Sequence, residues 1–108
     1  MNLQYKVSWA SIAESDLNNI ILFIADESPT NARKIFNKIK EKASSLTQIP
    51  ERGRIVPELQ DQGINLYREI IVSPWRIVYR ISGKKVYVLT VFDSRQNAED
   101  ILLKKLTA

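Results

Sequence analysis

"YREIIVSPWRIVYRI", residues 67–81, decides the fold. Two runs of Ile, Val, Trp and Tyr flank Ser73-Pro74, and a third at about 85–92 follows Gly83-Lys84. β-Branched and aromatic runs joined by links this short are antiparallel neighbours. A link of two or four residues at Ser73-Pro74 pairs Ile71 with Arg76, Glu69 with Val78 and Tyr67 with Arg80. A two-residue turn at Gly83-Lys84 pairs Arg80 with Tyr87, Val78 with Leu89 and Arg76 with Val91. Facing residues point the same way. One side of the sheet therefore collects Ile70, Val72, Trp75, Ile77, Tyr79, Ile81, Val86, Val88 and Phe92. The other collects Tyr67, Glu69, Ile71, Arg76, Val78, Arg80, Tyr87, Leu89, Val91 and Asp93, with Arg95 continuing the parity and Glu69 diagonal to Arg76 and Arg80.

The elements outside the hairpins supply cover for the apolar side. "LQYKVSW" alternates Leu3, Tyr5, Val7 and Trp9 against polar residues, the pattern of a half-buried strand. Ser11 with Glu14 reads as a capping box, followed by Ala13, Leu17, Ile20, Ile21 and Ile24 at helical spacing. Ser28-Pro29 starts a second helix with the stripe Ala32, Ile35, Phe36, Ile39, Ala43 and Leu46. Its basic face, Arg33, Lys34, Lys38, Lys40 and Lys42, reads as solvated. The short link between the helices makes them an antiparallel hairpin. "ERGRIVPEL" is a loop entering a short extended piece, where Pro57 suits a sheet edge. "NAEDILLKKL" closes with a helix capped by Asn97, acids first and lysines last. The expectation is one α+β domain over residues 1–108, ordered β-α-α-β-β-β-β-α, with the helical hairpin on one face of a twisted antiparallel sheet.

Composition narrows the chemistry. The chain has 108 residues, no cysteine and no histidine, so the commonest general base and the thiolate and imidazole metal ligands are missing; no metal or cofactor is expected. No apolar stretch approaches the roughly 18 residues of a membrane span, and "MNLQYKVSWAS" lacks a signal-peptide pattern, which points to a cytoplasmic protein without a membrane partner. Residues 1–51 carry six basic and six acidic groups, while residues 52–108 carry ten and six, so the whole net charge of +4 lies in the second part. A basic half favours an anionic partner, acidic protein or nucleic acid.

The second sheet side carries the functional signal. A merely wet face is rich in Thr, Lys, Glu and Ser; this one sets aliphatics and tyrosines around arginines, as in surfaces that partners cover. Arg76, Arg80, Glu69, Tyr67, Tyr87, Arg95 and Arg54 are its candidate contact residues. The bland alternative is that the last helix, through Ile101, Leu102 and Leu106, caps part of it over a structural Glu69–arginine pair. Arg68 falls on the apolar side, beside Tyr79 near its edge, and reads as structural.

"PERGRIVPEL", "YREI", "WRIVYRI" and "VYVLTVFDSR", in that order, resemble the RelE/ParE superfamily of bacterial toxins over nearly the whole chain. The resemblance implies the cytoplasmic toxin of a type II toxin–antitoxin pair. A co-encoded antitoxin with an acidic flexible segment would neutralise it, and operator DNA would be met only through that antitoxin. Two activities compete within the superfamily. RelE-like members are ribosome-dependent endoribonucleases that cut mRNA with strand arginines and lysines, an arginine after the last strand, and a tyrosine or histidine near the last helix. Arg76, Arg95 and Arg68 match such positions, but the second strand-basic position falls on Ile70 and the tyrosine position on Ile101. Glu69 would be left as base, and a carboxylate flanked by arginines is a weak one. ParE-like members act on DNA gyrase by binding. The YRE followed by a two-arginine strand, and the aliphatic terminus, sit closer to that branch. A non-toxic nucleic-acid-binding domain is the remaining reading.

Overall fold

A computed structural model, in which residues 4–106 are described, orders the chain as β1 (Lys6–Trp9), α1 (Ser11–Ala25), α2 (Pro29–Ser44), β2 (Arg54–Ile55), α3 (Pro57–Gln60), β3 (Tyr67–Val72), β4 (Trp75–Ser82), β5 (Lys85–Asp93) and α4 (Ala98–Leu106). The α+β architecture is the expected one, with additional short helical turns: the 3-10 turns Ser45–Thr47 and Pro50–Arg52, and α3. The sheet order is β1-β5-β4-β3-β2. The sheet is mixed rather than wholly antiparallel, because β1 runs parallel to β5 (Val7 opposite Val86). Short links fix the sense of β3, β4 and β5, but β1 reaches the sheet through the helical hairpin, which leaves its direction free. Among the described residues no helix is long and apolar enough to cross a membrane.

Both turns behave as their lengths require. Tyr67 faces Arg80, Glu69 faces Val78 and Ile71 faces Arg76 across the Ser73-Pro74 link, and Gly83, at φ 60°, makes the two-residue turn that pairs Ser82 with Lys85. The second hairpin keeps the expected pairing only as far as Tyr79, opposite Val88. Beyond it Val78 faces Thr90 and Arg76 faces Phe92, which leaves Leu89 as an extra residue. One inserted residue reverses the parity of everything after it. Val91 thus joins the core beneath the helical hairpin, Phe92 crosses to the second side, and Asp93 pairs with Trp75; for these three the simple alternation is corrected. Beside the bulge, the Val91 N–H donates to Asp16 Oδ2 on α1 at 3.2 Å.

The first core joins α1 and α2 to the sheet: Ala13, Leu17, Ile39, Ala43 and Leu46 bury against Ile70, Ile77, Tyr79, Val86 and Val88, with Tyr5, Val7 and Trp9 packed at its margin. Leu3, expected on the same strand face, lies outside the described residues. The α2 cap is as read, Ser28 Oγ accepting from Asn31 N–H at 3.2 Å, and Asn97 Oδ1 accepts from Asp100 N–H at the start of α4. The Ser11–Glu14 box does not form. Ser11 is already helical and Ala10 is the cap, without a side-chain bond. Nor is the basic face of α2 solvated throughout, since Lys40 lays its ammonium 4.3 Å from the centre of the Trp9 ring.

Tyr79 pins the loop before β2. Its hydroxyl donates to Pro50 O at 2.7 Å and accepts from Gly53 N–H at 2.9 Å, while Arg68 Nη1 donates to Gly53 O at 2.8 Å. A Cβ at Gly53 would stand 2.4 Å from the Glu69 carbonyl oxygen, so the close approach, rather than an unusual φ, reserves that position for glycine. Pro57, with its φ preset, then opens α3.

Candidate functional site

The second sheet side divides into a covered half and an open half. The covered half lies beneath α3 and α4, where Val56, Leu59, Val78, Phe92, Ala98 and Leu102 form a smaller core. Within it Glu69, 1% exposed, accepts from Arg76 Nε at 2.6 Å and from Arg54 Nε at 2.7 Å. Arg76, 5% exposed, turns its other two nitrogens on both oxygens of Glu58 at 2.9 and 2.6 Å, and its guanidinium carbon lies 5.1 Å from the centre of the Phe92 ring. Arg54 ends the chain of ion pairs at the surface, its side chain 60% exposed. Charge-assisted, bidentate bonds of this kind are the strong ones. They latch α3, through Glu58, onto the centre of the sheet.

The sequence-level contact set is therefore split. Glu69 sits between Arg76 and Arg54, not between Arg76 and Arg80, and both Glu69 and Arg76 are internal. Arg68 is spent on Gly53 and, at 3.4 Å, on Glu51. The open half brings together Tyr67, Arg80 and Tyr87, which face one another across β3, β4 and β5. With the bulged Leu89 and with Ala10, Ile12, Lys105 and Leu106, Tyr67 and Arg80 line a groove of ≈ 260 Å³. Arg95 stands apart in the loop after β5, its side chain 79% exposed, on the Asp93 carboxylate.

Two residues that sequence reasoning passes over organise the site. Glu58 is one, and its only sequence signal is its place right after Pro57, in the first turn of α3. Asp16 is the other: it accepts from Thr90 Oγ1 at 2.6 Å and Lys105 Nζ at 2.6 Å as well as from Val91, which ties α1, β5 and α4 together. A carboxylate between Ala13 and Leu17, on the edge of the α1 apolar stripe, is the signal that could have found it.

Electrostatics follow the pairing. The hydrogen bond from Arg76 holds the Glu58 carboxyl below its ordinary 4.5, and the Glu58 hydrogen bond in turn raises Arg76. Arg95 draws Asp93 from 3.8 to about 2. Burial raises the Tyr79 phenol above 10.0. A carboxylate lowered by folding contributes stability that is present above its unfolded value and is lost as pH falls through the folded one. Urea midpoints should thus stay level from pH 7 to about pH 5 and fall below about pH 4.5. Glu58→Gln should lower the midpoint at pH 7 and flatten that fall; a slope unchanged by the substitution would remove Glu58 as its source. Chemically, both Glu69 oxygens are engaged by arginines, and the described residues of the open half offer cations, phenols and apolar walls.

Comparison with known proteins agrees with this architecture. Residues 7–98 match the family model described as the ParE toxin of the type II toxin–antitoxin system, parDE. The chain is 29% identical over 86 residues to toxin RelE2 of Caulobacter vibrioides, covering 80% of this chain and 91% of that one. It is 33% identical over 69 residues to toxin ParE3 of the same organism, covering 64% and 65%. Among solved structures it is similar to the chromosomal ParDE toxin–antitoxin system from P. aeruginosa, with a TM-score of 0.69, 21% identity and coverage of 84% and 97%. It is also similar to a mutant of E. coli toxin RelE in the free state, at 0.62, 15%, 96% and 96%. At these identities the structural matches speak for the fold.

Proposed function

Because the chain belongs to the ParE toxin family of type II toxin–antitoxin systems, we propose that it arrests growth by binding a target protein, DNA gyrase, in the cytoplasm, and that a co-encoded acidic antitoxin neutralises it. The observation that carries the binding mode is the burial of Arg76 and Glu69 in their mutual ion pairs. A ribonuclease reading would need these groups at the RNA, and it would leave Glu69, already accepting from two guanidinium groups, as the base. In the binding mode they hold the sheet face rigid, while Arg80, Tyr67, Tyr87, Arg54 and Arg95 make the contacts with antitoxin or target. Operator DNA is met through the antitoxin alone.

The test sets the two activities side by side. The purified chain is titrated into a gyrase supercoiling assay and into a translating extract in which ribosome-bound mRNA is mapped by primer extension. The expected result is loss of supercoiling at near-stoichiometric toxin with the message intact. Cleaved message with supercoiling untouched would replace this proposal by the ribosome-dependent endoribonuclease.

A further inference from the structure

Residues 1–51 are neutral as a sum, but their charges are segregated. Helix α2 carries Arg33, Lys34, Lys38, Lys40 and Lys42 against Glu41 alone. Lys40 is turned onto the Trp9 ring. The other four cations are exposed, and among the described residues none of them is in an ion pair. Lys34, Lys38 and Lys42 recur at every fourth residue, which stacks them along one line of the helix about 6 Å apart. Like charges at this spacing repel one another and weaken a helix. Glu41, beside the row, offsets only one of them.

The row continues past the end of the helix. Ser45, whose hydroxyl donates to Lys42 O at 2.6 Å, lines a hollow of ≈ 410 Å³ in which Ser44, Thr47, Gln48 and Arg52 form the wall beside Glu41. Arg52 is exposed and, like the lysines, outside every ion pair of the described residues. Apart from Pro29, every exposed residue of α2 is polar or charged. A protein-binding patch has an apolar core from which lysine is depleted, and this face has none. An evenly spaced row of solvated cations fits instead the evenly spaced phosphates of a nucleic-acid backbone, whose counterions it releases. Because the row is fixed on a helix, it suits a duplex, whose phosphates are held in place, better than a flexible single strand.

We propose that α2 and the hollow at its end form a sequence-independent docking strip for duplex DNA. Lys34, Lys38 and Lys42 contact successive phosphates of one strand, and Arg52 with the Ser44 and Thr47 hydroxyls holds the next. Contacts of this kind position a protein without reading bases, so recognition of the operator stays with the antitoxin. The strip belongs to the helical hairpin, which packs on the sheet side opposite the contact face described above. It would hold the chain on the DNA on which its proposed target works, but it does not rest on that choice of target.

The full chain, with neither antitoxin nor gyrase present, is titrated into a short fluorescein-labelled DNA duplex, and anisotropy is read between about 50 and 200 mM salt. With four cations on phosphates, the affinity should fall with salt at a log–log slope of about −3.6, because each contact contributes about −0.9. Two duplexes of unrelated sequence should bind within about twofold of each other. The triple variant Lys34→Gln, Lys38→Gln, Lys42→Gln should bring the slope to about −0.9 and weaken binding at about 50 mM salt more than about tenfold. The charge-matched control Lys84→Gln, Lys85→Gln, Lys104→Gln should keep the slope and stay within about threefold in affinity. Glu41→Gln should tighten binding about twofold to fivefold, a gain that loss of folding cannot imitate. Equal losses for the two triple variants would overturn the strip in favour of net charge alone. No binding at low salt would also overturn it and leave α2 as a solvated face. Tighter binding of single-stranded RNA, polyglutamate or anionic lipid vesicles than of the duplex would overturn the assignment to DNA. The gyrase reading is scored separately, in the supercoiling assay, and stands or falls on its own.

Discussion

Arg76→Met should lower the unfolding free energy by about 3–5 kcal/mol, the cost of leaving a buried charge without its partner. The substitution keeps most of the side-chain volume over Phe92, so the loss is electrostatic rather than a cavity effect. Glu58 is partly exposed, its side chain at 29%, and returns to water, whereas Glu69, with none of its side chain exposed, keeps only Arg54, which is largely in solvent. The reverse substitution is milder. Glu69→Leu leaves Arg76 still holding both oxygens of Glu58 and Arg54 free to hydrate, so a loss nearer about 1–2 kcal/mol is expected. Combining the two should recover most of the Arg76→Met deficit, because apolar replacements of a buried ion pair are often close to neutral. Urea unfolding of the four proteins measures the coupling. Were Arg76→Met to cost under about 1 kcal/mol, the ion-pair chain would not be what fastens α3, and Arg76 would again be a candidate partner contact.

That experiment bears on why the sequence placed Arg76 on the right side of the sheet but gave no sign of its ion pair with Glu58. Parity and turn length are local properties: Ser73-Pro74 and Gly83-Lys84 set the register from Tyr67 to Tyr87, and with it the composition of both faces. The role of Arg76 depends on Glu58, 18 residues earlier, carried on a single turn of helix, and no periodicity joins them. The bulge is hidden for a different reason. "VLTVF" is apolar on both parities, because each side of β5 is buried there, so alternation carries no mark of an inserted residue, and no glycine flags it. Asp16 is legible as a carboxylate on an apolar stripe, but its partners Thr90 and Lys105 are 74 and 89 residues away. Arg80 stands on the second side, as its parity requires. What the sequence lacks is the reach of α4's cover, whose Lys105 and Leu106 line one groove with half-buried Arg80.

The register itself is tested most sharply by placing one charge on either side of it. Ile77 lies in the central strand between Ile70 and Val91, is 0% exposed and belongs to the core under the helical hairpin. Ile71, on the neighbouring strand and opposite in parity, is 44% exposed. Ile77→Asp removes a fully buried aliphatic, worth about 2–5 kcal/mol once the cavity is counted, and demands several more for a carboxylate in that core, because Arg68 at the edge of the same face is already engaged by Gly53 and Glu51. Against a typical stability of about 5–15 kcal/mol, the sum is enough to abolish folding. Ile71→Asp adds the same charge to a half-solvated position beside Arg76, where the change should stay within about 1 kcal/mol. Far-ultraviolet circular dichroism and urea titration should show a cooperative transition for Ile71→Asp and none for Ile77→Asp. Two cooperative transitions of equal midpoint would mean that the two sides of the sheet are not distinguished by burial, and the division into core side and contact side would fail with them.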